Sequence, residues 1–133
     1  MIGNKILVVE DDSITAMEIQ RLLETSGYQP YLANSSNEAL KTAFETKPDL
    51  IIMDVKLKGE EDGVKTAQTI KRLMEVPVIY LTAHSNPKLM ESIKLTRPSA
   101  CLFKPFGGME LVSNIEIALY TFDKGCKDLE IEL

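Results

Sequence analysis

Charged or hydroxyl-bearing side chains stand at the ends of four apolar runs in this sequence. "KILVV" (5–9) is followed by Glu10, Asp11 and Asp12, "DLIIM" (49–53) by Asp54, and "ACLF" (100–103) by Lys104, while "PVIYLT" (77–82) closes on Thr82. If the first and third runs are neighbours, their carboxylates converge, and such a cluster repels itself unless a cation neutralises it. Oxygen donors without His or Cys beside them suit a hard ion. Mg2+ fits a site with few carboxylates that leaves room for a phosphoryl oxygen. In that reading the cluster accepts a phosphoryl group, with Asp54 as nucleophile, Mg2+ and Lys104 as the cations and Thr82 as a hydroxyl donor.

The elements that must carry these groups alternate along the chain. Together with "YLA" (31–33), the apolar runs number five, and segments of helical periodicity separate them. The first helix is predicted from Ser13 to Ser26, with Ile14, Met17, Leu22 and Leu23 facing inward and Gly27 as its stop. Ser35 or Ser36 should cap the second, whose stripe is Ala39, Leu40, Ala43 and Phe44. Asp62 and Gly63 should open the third, with Val64, Ala67, Ile70 and Leu73 or Met74 turned in. A shorter helix is predicted over 87–95 and a last one over about 109–122. Runs that are apolar throughout, joined by helices, predict a parallel sheet covered on both faces, a doubly wound α/β domain. In such sheets the working groups sit beyond the carboxyl ends of the strands, where the strand order reverses.

Composition sets the remaining bounds. The chain has 133 residues, 44% apolar and 26% charged, which predicts one ordinary globular domain. The stretch 123–133 reads as a charged tail or the start of a linker. With a net charge of −5 and no dense Lys/Arg cluster, direct nucleic-acid binding is disfavoured. No run approaches the roughly 18 apolar residues of a membrane span, and the start lacks the layout of a signal peptide. Cys101 and Cys126 have neither metal-ligand nor redox-motif spacing, so both are read as reduced thiols in a cytoplasmic protein.

"ILVVEDD", "DLIIMDVKLKGEEDG", "PVIYLTA" and "LFKPF", in this order and spacing, resemble the receiver domain of bacterial and archaeal two-component response regulators. The resemblance covers about residues 4–122. It implies a flavodoxin-like (βα)5 sandwich with strand order 2-1-3-4-5, and Asp54 as the residue that takes a phosphoryl group from a phosphohistidine. It further implies a Mg2+ site of Glu10, Asp11, Asp54 and the backbone carbonyl of Lys56, with Asp11 as the direct ligand and Glu10 acting through water. Thr82 and Lys104 would hold the phosphoryl oxygens, small Ala83 would leave them access, and Lys104-Pro105 matches a cis peptide of the family. A histidine kinase or phosphotransfer protein is the implied partner. A homodimer through the face from the fourth helix to the fifth is a further assembly the family admits.

Other residues near these positions have plainer readings. Asp12 can be read as a third metal-site acid or as the cap of the first helix, with the cap preferred, and Glu60, Glu61 and Asp62 are expected to form a solvated loop. His84, the one histidine, is expected to frame the entrance with Lys56 and to adjust how fast water attacks the acyl phosphate.

The chain departs from the family pattern at Cys101, where an aromatic residue commonly stands three positions before the lysine. Phe103 is assigned to the opposite strand face. The usual "GA" before the last strand is replaced by "RPSA" (97–100), where Pro98 should stop the fourth helix. A receiver that signals by binding alone is therefore an alternative function. A haloacid-dehalogenase-like phosphatase would need a second Asp where Lys56 stands, and a flavin carrier would need a Ser/Thr/Gly-rich loop where this chain has "EDDS".

Overall fold

A computed structural model of the chain describes residues 3–57, 62–83 and 86–132, with 124–132 described by their backbone alone. Strands and helices alternate throughout: β1 (Lys5–Val9), α1 (Ser13–Thr25), β2 (Gln29–Ala33), α2 (Ser36–Thr46), β3 (Leu50–Asp54), α3 (Gly63–Leu73), β4 (Val78–Thr82), α4 (Pro87–Leu95), β5 (Ala100–Phe103) and α5 (Gly108–Glu132). The strands form one parallel sheet in the order β2-β1-β3-β4-β5, the expected flavodoxin-like arrangement.

Both sheet faces are buried, which is why the central strands show no polar alternation. Leu7, Val9, Ile51, Met53, Val78 and Tyr80 pack with residues of α2, α3 and α4 on one face. Ile6, Val8, Leu50, Ile52, Ile79 and Leu81 pack with α1 and α5 on the other. Each such aliphatic side chain stabilises the fold by about 1.5–3 kcal/mol on burial. Together they outweigh any local preference of the short strands.

The helix faces follow the sequence expectation in α3 and in most of α2, and depart from it at Ile14 and Met17 of α1 and Phe44 of α2. α1 buries Ala16, Ile19 and Leu23, while Ile14 and Met17 are 67% and 60% exposed. α2 buries Ala39 and Ala43 and turns Phe44 outward, and Leu73 of α3 is exposed while Met74 packs on the core. The physical reason is close approach: alanines let a helix lie near the sheet, and the larger neighbours are then carried outward by the 3.6-residue period. β2 begins at Gln29, two residues before the apolar "YLA", because an edge strand tolerates Pro30. α5 continues well past Phe122, to Glu132.

Caps fix several ends. Asp12 caps α1 and Asp62 caps α3. α1 stops at Ser26, followed by Gly27 with φ +90°. Ser35 Oγ accepts from Glu38 N at 3.2 Å, and Glu38 Oε1 accepts in return from Asn34 N at 3.1 Å. This reciprocal arrangement resembles a capping box. Ser35→Ala should lower stability by about 1 kcal/mol; urea denaturation would show it as a lower midpoint with unchanged slope.

Candidate functional site

Strand register brings the distant acids level. Val9 pairs with Met53 in the β1–β3 ladder, so Glu10 and Asp54, the next residues of each chain segment, emerge side by side. Thr82 pairs with Phe103 in the β4–β5 ladder, and Lys104 follows, its backbone N donating to Thr82 O at 2.8 Å. Glu10, Asp54 and Thr82 are only 2%, 5% and 3% exposed.

Lys104 closes the cluster. Its Nζ donates to Glu10 Oε1 at 2.8 Å and to Asp54 Oδ2 at 3.0 Å. The other oxygen of Asp54, Oδ1, accepts from the backbone N of Lys56 at 3.0 Å. Asp54 is thus oriented by two donors that come from different strand ends. Carboxylate oxygens of Glu10, Asp11 and Asp54 lie within 4.8 Å of one another. Asp12 stands apart from this trio, its Oδ2 accepting from Thr15 N at 3.2 Å as the cap of α1.

The charges are strongly coupled. Burial, reinforced by the hydrogen bond and charge of Asp54 and opposed by Lys104, pushes the Glu10 carboxyl up to about 7. Burial pulls the Lys104 ammonium down, but its bonds to Glu10 and Asp54 win and hold it above the ordinary lysine range. Three carboxylates facing one ammonium leave two negative charges when all are ionised. All-oxygen donors with that deficit suit a divalent hard cation, so the residues fit Mg2+.

Gly63 shapes the floor of the site. Its N donates to Val55 O at 2.8 Å, and a Cβ placed on it would lie 2.0 Å from the backbone O of Asp54. The start of α3 therefore rests directly on the end of β3. Sequence reasoning treated Gly63 only as a helix opener, and the "DG" pair was the available signal. The direct Glu10–Lys104 pair was also missed, since nothing local links residues 94 positions apart.

The other expected residues lie around this centre. The Lys56 side chain and Ala83 are exposed at the rim, while His84, Glu60 and Glu61 fall outside the described residues. The Lys104–Pro105 peptide is cis. Cys101 is half-buried in β5 opposite Tyr80, and burial pushes its thiol up, away from the thiolate a redox sensor needs. The assignment of Phe103 to the opposite face is corrected: residues two apart share a strand face, so Phe103 follows Cys101, although it is 45% exposed.

The family model for the response regulator receiver domain matches residues 6–116. The chain belongs to this family. The receiver is 34% identical over 122 residues to the transcriptional regulatory protein PdtaR of Mycobacterium tuberculosis, a match spanning 91% of this chain and 59% of PdtaR. It thus spans little more than half the length of that curated relative. Its fold matches the N-terminal domain of a response regulator/sensory box/GGDEF 3-domain protein from Carboxydothermus hydrogenoformans, at TM-score 0.84 and 33% identity, covering 92% of this chain and 98% of that one. A CheY-like receiver domain protein from Methanospirillum hungatei has the same fold at TM-score 0.88 and 22% identity, covering 92% and 98%.

Receivers are signalling domains of two-component systems rather than metabolic enzymes, and the family works with histidine kinases or phosphotransfer proteins and binds Mg2+ through acidic residues. Among the described residues, no helix is long and apolar enough to cross a membrane.

Proposed function

We propose that this receiver is a phosphorylation-dependent switch that takes a phosphoryl group onto Asp54 from the phosphohistidine of a partner kinase or phosphotransfer protein. The observation that carries the reading is the doubly held Asp54 carboxylate, with Lys104 Nζ 3.0 Å from one oxygen and Lys56 N at 3.0 Å from the other.

In the transfer, an Asp54 oxygen forms the new O–P bond as the donor's P–N bond breaks, and the imidazole leaves with that electron pair. Lys104 then turns from the carboxylate to a phosphoryl oxygen, and the Thr82 hydroxyl binds another. Glu10, Asp11, Asp54 and the backbone carbonyl of Lys56 would hold Mg2+, which when bound would neutralise phosphoryl charge. Ala83 keeps the approach open, and Lys56 with His84 borders it. The added charge draws Thr82 and Lys104 inward and changes the α4–α5 surface, where Leu95, Phe103 and Met109 are exposed. Self-association through that face is one output this surface serves. The net charge of −5 argues against direct nucleic-acid binding, and the free, half-buried Cys101 fits a cytoplasmic setting.

Acetyl phosphate tests the chemistry without a kinase. With Mg2+ the intact mass should show a single phosphoryl adduct that maps to the peptide containing Asp54; without Mg2+ it should show none. A folded, Mg2+-binding protein that forms no adduct would instead be a receiver that acts by binding alone.

A further inference from the structure

The amino-terminal ends of β4 and β5 border a charged cleft at the pole of the sheet opposite the acidic strand ends. It has a volume of 360 Å3 and opens between the α3–β4 loop, the turn from α4 into β5, and α5 at Phe122. Lys71 and Arg97 supply its cations, and Met74, Pro77 and Phe122 its apolar walls. A strand of five residues such as β4 is roughly 16 Å long, so this cleft and the acidic cluster are separate sites.

The two cations are there for different reasons. Lys71 Nζ donates to Thr96 O at 2.6 Å and to Arg97 O at 3.1 Å, closing the end of α4, where a cation also suits the helix dipole. Both acceptors are neutral carbonyls, so the ammonium is positioned but its charge is not cancelled. Burial, and then the charge of Arg97, push it below the ordinary lysine range. Arg97 is placed against local preference. It follows the C-cap Thr96 with φ +53°, the left-handed conformation that glycine adopts without steric cost at a helix end. An arginine there gives up stability that glycine would supply, and what it adds is an exposed guanidinium beside a half-buried ammonium. Two like charges at one cleft repel until an anion lies between them.

We propose that this cleft binds a small amphipathic monocarboxylate from solution, with its carboxylate bridging Lys71 and Arg97 and its apolar body on Met74, Pro77 and Phe122. The third proton of the Lys71 ammonium and the fork of the Arg97 guanidinium are the donors such a carboxylate needs. Exposed Glu75 stands on the same rim and disfavours a multiply charged anion. The volume lies near the lower end of the range for small-molecule sites and suits a compound of roughly one or two rings. Binding here needs neither Mg2+ nor a phosphoryl group on Asp54, so it stands apart from the switch reading above.

Benzoate is the probe, with benzamide (the same ring without charge) and acetate (the same charge without a ring) as controls. In amide NMR titrations of the full chain, benzoate should shift the signals of Lys71, Met74, Ser99 and Phe122 along a saturating curve, while those of Asp11 and Asp54 stay in place. Benzamide and acetate should each bind at least about tenfold more weakly, the scale of a lost charge-assisted hydrogen bond or of a lost buried ring. Arg97→Gly should weaken benzoate binding at least about tenfold and leave the melting temperature equal or higher, because glycine relieves the left-handed turn. Lys71→Met, which keeps most of the stem, should weaken binding to a similar degree. Shifts that never saturate, benzamide as tight as benzoate, or an Arg97→Gly protein that binds benzoate like wild type would each overturn the site. Acetate as tight as benzoate would overturn the amphipathic ligand. A clearly lower melting temperature in Arg97→Gly would show that the arginine serves the fold, and that too would overturn the inference.

Discussion

Asp54→Asn should give a folded domain that takes no phosphoryl group from acetyl phosphate, whatever the Mg2+ concentration. The amide oxygen is a poor nucleophile, and loss of a nucleophile is felt as a rate drop of at least about a thousandfold. The fold should survive because the carbonyl of Asn can still accept from Lys56 N or Lys104 Nζ, the donors that hold Asp54 at 3.0 Å each. Substitution also removes one of the clustered charges that oppose each other at Glu10 and Asp54. The variant should bind Mg2+ more weakly, having lost an anionic ligand. Mass spectrometry reads the adduct, and circular dichroism confirms the fold. An Asp54→Asn protein that is phosphorylated as fast as wild type would place the acceptor elsewhere.

Gly63→Ala should be among the most damaging single-methyl additions in the chain. The added carbon would sit 2.0 Å from Asp54 O, 2.9 Å from Asp54 C and 3.0 Å from Val55 Cα, all backbone atoms that cannot rotate aside. Either α3 lifts off and breaks the Gly63 N to Val55 O bond, or the end of β3 moves and takes Asp54 with it. Both routes cost about 3 kcal/mol or more, which for a domain of this size lowers the melting temperature by roughly 10 °C. Gly107→Ala is the control, since its added carbon meets nothing closer than 4.0 Å. Equal melting temperatures for the two variants would refute the close approach of α3 to β3.

The site was legible because its positions are strand ends, and strand ends are written locally. An apolar run that stops on Asp54 or Lys104 marks both the strand and the charged group that it presents. Once the register levels Glu10 with Asp54, the cluster follows from strand order alone. Helix faces were less legible because large apolar side chains drew the eye. Ile14 and Met17 look like core, but Ala16 and Ile19 are what meet the sheet, since the phase of α1 is set by packing. The grip of Lys71 on the end of α4 left no trace in the sequence. A lysine in the last turn of a helix ordinarily reads as solvated charge, and only the tertiary fold puts it beside Thr96 O.

The bond between Glu10 and Lys104 joins residues made 94 positions apart. During synthesis, the acids of β1 and β3 are therefore complete long before their ammonium partner exists. A chain halted anywhere before β5 has acidic strand ends but no pocket, and it cannot offer a weaker version of one. Anything that recognises this combination of buried acid and lysine is in effect inspecting a chain made at least through β5, so shorter chains are shielded from premature engagement by topology.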